Sequence, residues 1–194
     1  MINGLSAVAH PCQALADMLT INERFAALTG LEIAYIGDAR KKAAPSVAGA
    51  AIVVEVSVDF GCSPTLCPPE AFFADLQDLG TPTGATARAF SSAHRAARDA
   101  DVLYTDIWTA MGEEHLSERD AATLLPNRVT GELIAAAAKH ANFRHCRPAH
   151  RDDEVAPDVI DGPQTAVVDR AKNRLHAQKA LLVTLLTDLR GMPV

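Results

Sequence analysis

The sequence predicts an α/β fold: a three-layer, doubly wound (Rossmann-like) parallel sheet in a single domain, closed by a long C-terminal helix. Three observations predict it. Short runs rich in Val, Ile, Leu and Tyr alternate with stretches of helical period. Polar clusters follow directly on several of those runs. The last stretch carries apolar residues around most of a helix, and 194 residues suit one domain with one substantial core.

Residues 10–28 place Leu15, Met18, Leu19, Phe25 and Leu28 at helical spacing. Residues 31–36 (LEIAYI) form a short buried strand ending at Gly37-Asp38, and the small residues 46–51 begin or continue a helix. Residues 52–58 alternate and are rich in Val, the pattern of a second strand. Three prolines make 62–69 a loop, after which Pro69-Glu70 starts a helix. A helix over 91–100 leads to a third strand at 101–105 (DVLYT). Helices at 119–125 and 131–140 precede a fourth strand at 142–146, and 165–168 reads as a fifth. The final helix runs from Arg170 to about Leu189, stopped by Arg190-Gly191. Strands alternating with helices in this way imply a parallel sheet covered on both faces.

Composition excludes several classes. A formal net charge of -6 argues against a broad nucleic-acid footprint. The apolar run 180–186 is far too short to span a bilayer, and the N-terminus lacks the basic region of a signal peptide, so the cytoplasm is the expected compartment. Cys12, Cys62, Cys67 and Cys146 are expected as reduced thiols. A zinc site at Cys62 and Cys67 would need two more ligands at matching spacing, and none stands out. No G-x-G-x-x-G follows the first strand and no P-loop occurs, so neither a nicotinamide cofactor nor a P-loop nucleotide site is expected.

Chemistry is expected where three strand ends carry polar clusters, beyond the carboxyl edge of the sheet. These are 37–42 (GDARKK), 106–112 (DIWTAMG) and 145–150 (HCRPAH). Any one of them could be surface polarity or a helix cap; their convergence is the signal.

The stretches FRHCRPAHRDDEVAPDVIDGPQ and AKNRLHAQKALLVTLL resemble the end of a bacterial ornithine carbamoyltransferase, with its F-x-H-C-L-P-A-H-R and A-E-N-R-L-H-A-Q-K-A-L-L patterns. TDIWTAMGEE is similar to the family's D-V-W-x-S-M-G-E loop, INGLSAVAHPCQALADMLTI to its H-P-C-Q helix, and YIGDARKK to G-D-x-x-N-N. The motifs keep the family's order and cover nearly the whole chain. The resemblance implies transfer of a carbamoyl group from carbamoyl phosphate to the side-chain amine of ornithine or a related amino acid, with no cofactor and no metal. It makes residues 1–194 the ornithine-binding-type domain and implies that the family's N-terminal carbamoyl-phosphate domain, with its S-x-R-T-type loop, is absent. A protein partner or a homo-oligomer covering the first and last helices is expected in consequence.

Residue by residue, the resemblance makes His10 and Gln13 contacts to carbamoyl phosphate, and Arg174 the N-R-L-H arginine that faces the same substrate. Cys146 matches the cysteine lying against both substrates, and Arg147 the residue whose backbone carbonyl meets the carbamoyl NH2. Asp106 matches the aspartate that receives the ornithine α-amino group, with Met111 beside it. Asp106, Cys146 and Arg174 form the implied catalytic set. Read without the resemblance, His10 could cap the first helix, Gln13 could be solvated, Cys146 could be a small apolar residue, and Arg174 could bridge surface carboxylates. A metal triad of His145, Cys146 and His150 is disfavoured because strand alternation points His145 away from Cys146.

Four positions depart from the family pattern. Lys42 stands where an asparagine contacts ornithine, Ala110 where a serine adds a hydroxyl, Arg147 where a leucine lines the wall, and Lys172 for a glutamate. They add positive charge or remove polar contacts. The alternative to a transferase is a non-catalytic amino-acid-binding or regulatory module.

Overall fold

A computed structural model describes residues 2–109 and 122–187. Its elements are helix α1 (Pro11–Phe25), strand β1 (Glu32–Ile36), α2 (Ala43–Val53), β2 (Ser57–Gly61), α3 (Glu70–Gly80), β3 (Ala87–Phe90), α4 (Ala93–Ala97), β4 (Val102–Asp106), α5 (Gly131–Ala136), β5 (Asn142–Cys146), α6 (Pro157–Ile160) and α7 (Val167–Leu186). All five strands are parallel, in the order β3-β2-β1-β4-β5. The predicted doubly wound architecture is correct. Strand order reverses between β1 and β4, the place where such sheets open a crevice at their carboxyl edge.

Side-chain alternation sends Ile33, Tyr35, Val58, Phe60, Val102 and Tyr104 into one core under α1, α2 and α3. Ala34, Ile36, Leu103 and Phe143 enter a second core under α4, α5 and α6. Strands β1, β2, β4 and β5 are buried on both faces, which is why they read as nearly continuous apolar runs. Gly61 lets α4 lie directly on β2, since a Cβ there would come 3.0 Å from the Ala93 backbone.

Some boundaries differ from the sequence expectation. The alternating run 52–58 straddles two elements: α2 continues through Val53, Glu55 turns the chain at φ 67°, and β2 begins only at Ser57. Nothing in the local sequence announces a left-handed glutamate. The fifth strand is β3, at 87–90, rather than 165–168. β3 is a short edge strand that exposes Arg88 and Ala89, so it lacks an apolar signature. Thr165 makes a single bridge to Phe143 before the chain enters α7, three residues earlier than expected. The helices expected over 91–100 and 131–140 shorten to α4 and α5, and α1 ends at a left-handed Ala26. Cys62 and Cys67 form a disulfide, which corrects the expectation of reduced thiols there; Cys12 and Cys146 are free. Among the described residues no helix is long and apolar enough to cross a membrane.

Candidate functional site

The carboxyl edge at the β1/β4 reversal gathers most of the sequence-predicted residues. In the β4–β5 ladder Asp106 lies directly opposite Cys146, so both side chains leave the sheet on the same face. That is the face covered by α1 and α7. Tyr35 stacks on Tyr104 beneath them, ring centroids 5.5 Å apart, and the Tyr35 hydroxyl is buried with no partner. Beside this edge Gly37 takes φ 121°, a conformation that disfavours any side chain, where a Cβ would lie 3.5 Å from Thr105 and 3.6 Å from the Trp108 indole nitrogen.

His10 occupies the N-cap position of α1 without a side-chain cap hydrogen bond and is buried; its Nδ1 has no partner among the described residues. Burial and the nearby guanidinium groups of Arg174 and Arg170 lower its pKa, against an opposing backbone hydrogen bond to Gly4. Its backbone N–H donates to Ser46 Oγ (2.8 Å), and that hydroxyl donates to the Lys42 carbonyl (2.7 Å), so the starts of α1 and α2 are tied together. Lys42 itself is exposed.

Gln13, Asp17 and Thr20 recur on one stripe of α1, all buried. Facing them from α7 are Arg170 and Asn173, also buried. Arg170 donates to both Asp17 oxygens and to the His145 carbonyl, and reaches the Tyr104 hydroxyl at 2.5 Å. Turning the Gln13 amide lets its oxygen accept from Arg170 Nε and Nη2, each at 3.2 Å. Further along the seam Asn173 donates to Thr20 Oγ1 (3.1 Å) and Glu23 (2.5 Å). The two helices are therefore joined by a polar ladder rather than an apolar one. A second buried guanidinium, Arg144, donates to Asn142 Oδ1 and to the Asp17 carbonyl, leaving Nη2 without a partner; burial lowers its pKa to about 10.

Electrostatics follow from this packing. Burial raises the Asp106 pKa, opposed by its hydrogen bond from the Ile107 N–H and by the charges of Lys41 and Arg170. Burial pushes the Cys146 thiol up to about 11, Asp106 adds to the rise, and Arg170 opposes it. The thiol is thus neutral near pH 7 and is not an activated nucleophile. Arg174, one turn after Arg170 on α7, is half-buried and makes no hydrogen bond or ion pair among the described residues. Arg147 is exposed. Ala110 and Met111 lie outside the described residues.

The structure thus brings together His10, Gln13, Asp106, Cys146 and Arg174, while Lys42 and Arg147 sit exposed at the ends of neighbouring segments. Sequence reading missed Asp17, Tyr104, Arg144 and Arg170. The available signal was positional: Asp17 follows Gln13 by one helical turn, and Arg144 sits in mid-strand two residues before Cys146. His145 points to the opposite face, as alternation requires, and its Nε2 is 3.0 Å from Glu154, both side chains fully buried. A cleft of about 320 Å³ lined by His94, Arg128, Thr130 and Glu132 lies on that opposite face, away from Asp106 and Cys146. It gathers none of the predicted residues.

The chain is similar to known proteins along its whole length. Residues 29–185 match the family model "Aspartate/ornithine carbamoyltransferase, Asp/Orn binding domain". The ornithine carbamoyltransferase of Acidothermus cellulolyticus is 44% identical over 100% of this chain and 62% of its own length; that of Mycobacterium ulcerans is 43% identical over 96% and 60%. The chain thus spans about three-fifths of the length of the curated relatives it matches. The crystal structure of ornithine carbamoyltransferase from Pyrococcus furiosus superposes with a TM-score of 0.87 at 38% identity, covering 93% of this chain and 57% of that one. A five-stranded parallel sheet with this site at its carboxyl edge, and a family match over residues 29–185, lead to one conclusion: the chain belongs to the aspartate/ornithine carbamoyltransferase family, as its acceptor-binding domain.

Proposed function

We propose that this chain is the acceptor-binding domain of an ornithine carbamoyltransferase-type enzyme, which moves a carbamoyl group from carbamoyl phosphate to the side-chain amine of ornithine or a related amino acid. The observation that carries the reading is the convergence of His10, Gln13, Asp106, Cys146 and Arg174 on the strand-reversal edge. That reaction needs an unprotonated amine aligned on the carbamoyl carbon, positive charge near the oxygen that becomes anionic, and a hold on the departing phosphate.

In this reading His10, Gln13 and Arg174 meet carbamoyl phosphate. The Nδ1 of His10, without a partner among the described residues, is available to the carbamoyl group, and the half-buried Arg174 guanidinium supplies charge beside it. Asp106 takes the acceptor's α-amino group, and Cys146 forms an uncharged wall against both substrates. The Arg147 backbone carbonyl is assigned to the carbamoyl NH2. Lys42, at the start of α2, is placed to meet an acceptor carboxylate, with Ala110 and Met111 completing that side in the family's loop.

Phosphate binding belongs to the part of the family architecture that this chain does not match. Leu15 on α1 and Leu175, Leu182, Leu185 and Leu186 on α7 are exposed, between 43% and 83%. An apolar face of this kind supports a second domain, a partner chain or a further copy packing there.

Citrulline formation from ornithine and carbamoyl phosphate tests the reading, with this chain alone and with a carbamoyl-phosphate domain supplied in trans. Turnover in either arm is the expected result. Calorimetric binding of ornithine without turnover in any combination would reassign the chain as a binding module. Silence in both assays would remove the reading.

A further inference from the structure

Arg170 ties four elements together through its guanidinium. From α7 it holds Asp17 and Gln13 on α1, the Tyr104 hydroxyl on β4 and the His145 carbonyl on β5. Its side chain is 4% exposed. Three of the residues assigned to substrate lie one covalent step or one helical turn from these anchors. Gln13 is itself an anchor, Cys146 follows His145, and Arg174 lies one turn along the same helix. A planar fork that donates from all three of its nitrogens sets direction as well as distance, which a flexible lysine would not.

We propose that Arg170 is the positioning residue of this site: it fixes α1 and α7 against the ends of β4 and β5, and so sets the geometry of Gln13, Arg174 and Cys146 together. The inference rests on the substrate-binding reading of those three residues. Its second consequence is electrostatic and independent of any substrate. Arg170 acts on Cys146 by charge and by a side-chain hydrogen bond; Asp106 from β4, Asp17 from α1 and the tyrosine hydroxyls of β1 and β4 also act on it electrostatically, and His145 and Arg147 flank it in sequence. Arg170 favours the Cys146 thiolate, while Asp106 and Asp17 oppose it.

The test uses the full chain and two readouts. One is the rate of Cys146 carbamidomethylation by iodoacetamide against pH, followed by peptide mass spectrometry. The other is calorimetry with carbamoyl phosphate and with ornithine. Removing Arg170 alone would strand Asp17 in the core, so the main variant is Arg170→Met combined with Asp17→Asn, which deletes the charge pair as a unit. Its fold is checked by circular dichroism and thermal melting.

Expected for that double variant is a Cys146 reaction about tenfold slower at pH 9, the equivalent of one pKa unit, with ligand affinity about tenfold or more weaker. Arg170→Lys keeps the charge but not the fork, so it is expected to preserve the alkylation profile while still weakening affinity. Arg24→Ala, which breaks an exposed tie between the same two helices, is expected to change neither. A folded double variant with wild-type alkylation and wild-type affinity overturns the inference. If the unaltered chain binds neither ligand while the double variant still slows alkylation, the functional reading fails and the hold of Arg170 on Cys146 stands.

Discussion

The two faces of the β4–β5 ladder bury charge in opposite ways. Towards α4–α6, His145 meets Glu154 at 3.0 Å with both side chains fully enclosed. Towards α1 and α7, Arg170 pairs with the Asp17 carboxylate while a second guanidinium, Arg144, donates to the Asp17 backbone carbonyl, and the cluster opens onto the half-buried Asp106, Cys146 and Arg174. Unsatisfied atoms do not separate the two, since His145 Nδ1 and Glu154 Oε2 are as orphaned as Arg144 Nη2 and Tyr35 Oη. Charge balance and access do. A fully enclosed pair is out of a ligand's reach, whereas a cluster with surplus cations and an opening can bind an anion. The same strands therefore carry a brace on one side and the candidate site on the other.

The sharpest way to break this comparison is to remove the carboxylate from each face. Asp17→Ala leaves two buried guanidinium groups that cannot shed their protons near neutral pH. It is expected to cost about 3–5 kcal/mol in urea unfolding, the range for a broken buried ion pair. Glu154→Ala also strands a partner, the buried ring nitrogen of His145, but it leaves no buried guanidinium behind. It also frees the His150 N–H, which donates to Glu154 at 2.5 Å. The expected cost is about 1–3 kcal/mol, that of unmade buried hydrogen bonds. Glu154→Ala proving the costlier of the two would reverse the contrast between the faces.

Part of this face was legible from sequence, because the polar clusters holding Asp106 and Cys146 sit at strand ends. The roles expected of His10, Gln13, Asp106, Cys146 and Arg174 came from the motif resemblance, not from position. What holds them was not legible. Asp17 occupies a helix turn next to Met18 and Leu19, and Arg170 opens a helix rich in charged residues, so both look like solvated surface until the two helices are packed together. Arg144 sits in a strand whose neighbours are all buried, yet a lone charge there reads as an outward-facing residue. Among the elements, β3 escaped because an edge strand need not be apolar, and β2 was displaced because the turn at Glu55 contains no glycine. The Cys62–Cys67 pairing depends on the loop's path, which spacing alone does not determine.

A finer test uses Asp106, the carboxyl at the mouth of the cluster. Its pKa is raised in the folded chain, chiefly by burial, so ionising it works against folding. The folded state holds this proton more tightly than the unfolded state, and stability falls as pH rises from the ordinary aspartate range through the raised value. Asp106→Asn keeps the acceptor oxygen for the Ile107 N–H and deletes the charge. It is expected to raise stability at pH 7–8 by about 1 kcal/mol, with the gain vanishing near pH 3, while ornithine affinity falls. It should also speed Cys146 alkylation, because Asp106 helps hold that thiol protonated. A melting-temperature gain that persists unchanged at pH 3 would show that the raised pKa is not its source.

The smallest effect concerns the same helix pair seen from outside. Arg24 and Asp169 join α1 to α7 at 2.5 Å, shorter than many ion pairs, yet their side chains are 38% and 53% exposed. Distance alone would rank this contact with Arg170–Asp17; solvent decides otherwise. Water and salt screen the exposed pair, and ordering two long side chains offsets the attraction. Arg24→Ala is therefore expected to change stability by less than about 0.5 kcal/mol, with the difference lost in high salt. A loss comparable to that of Asp17→Ala would mean that the two helices are held at their rim, and that the buried fork of Arg170 does not fix their geometry.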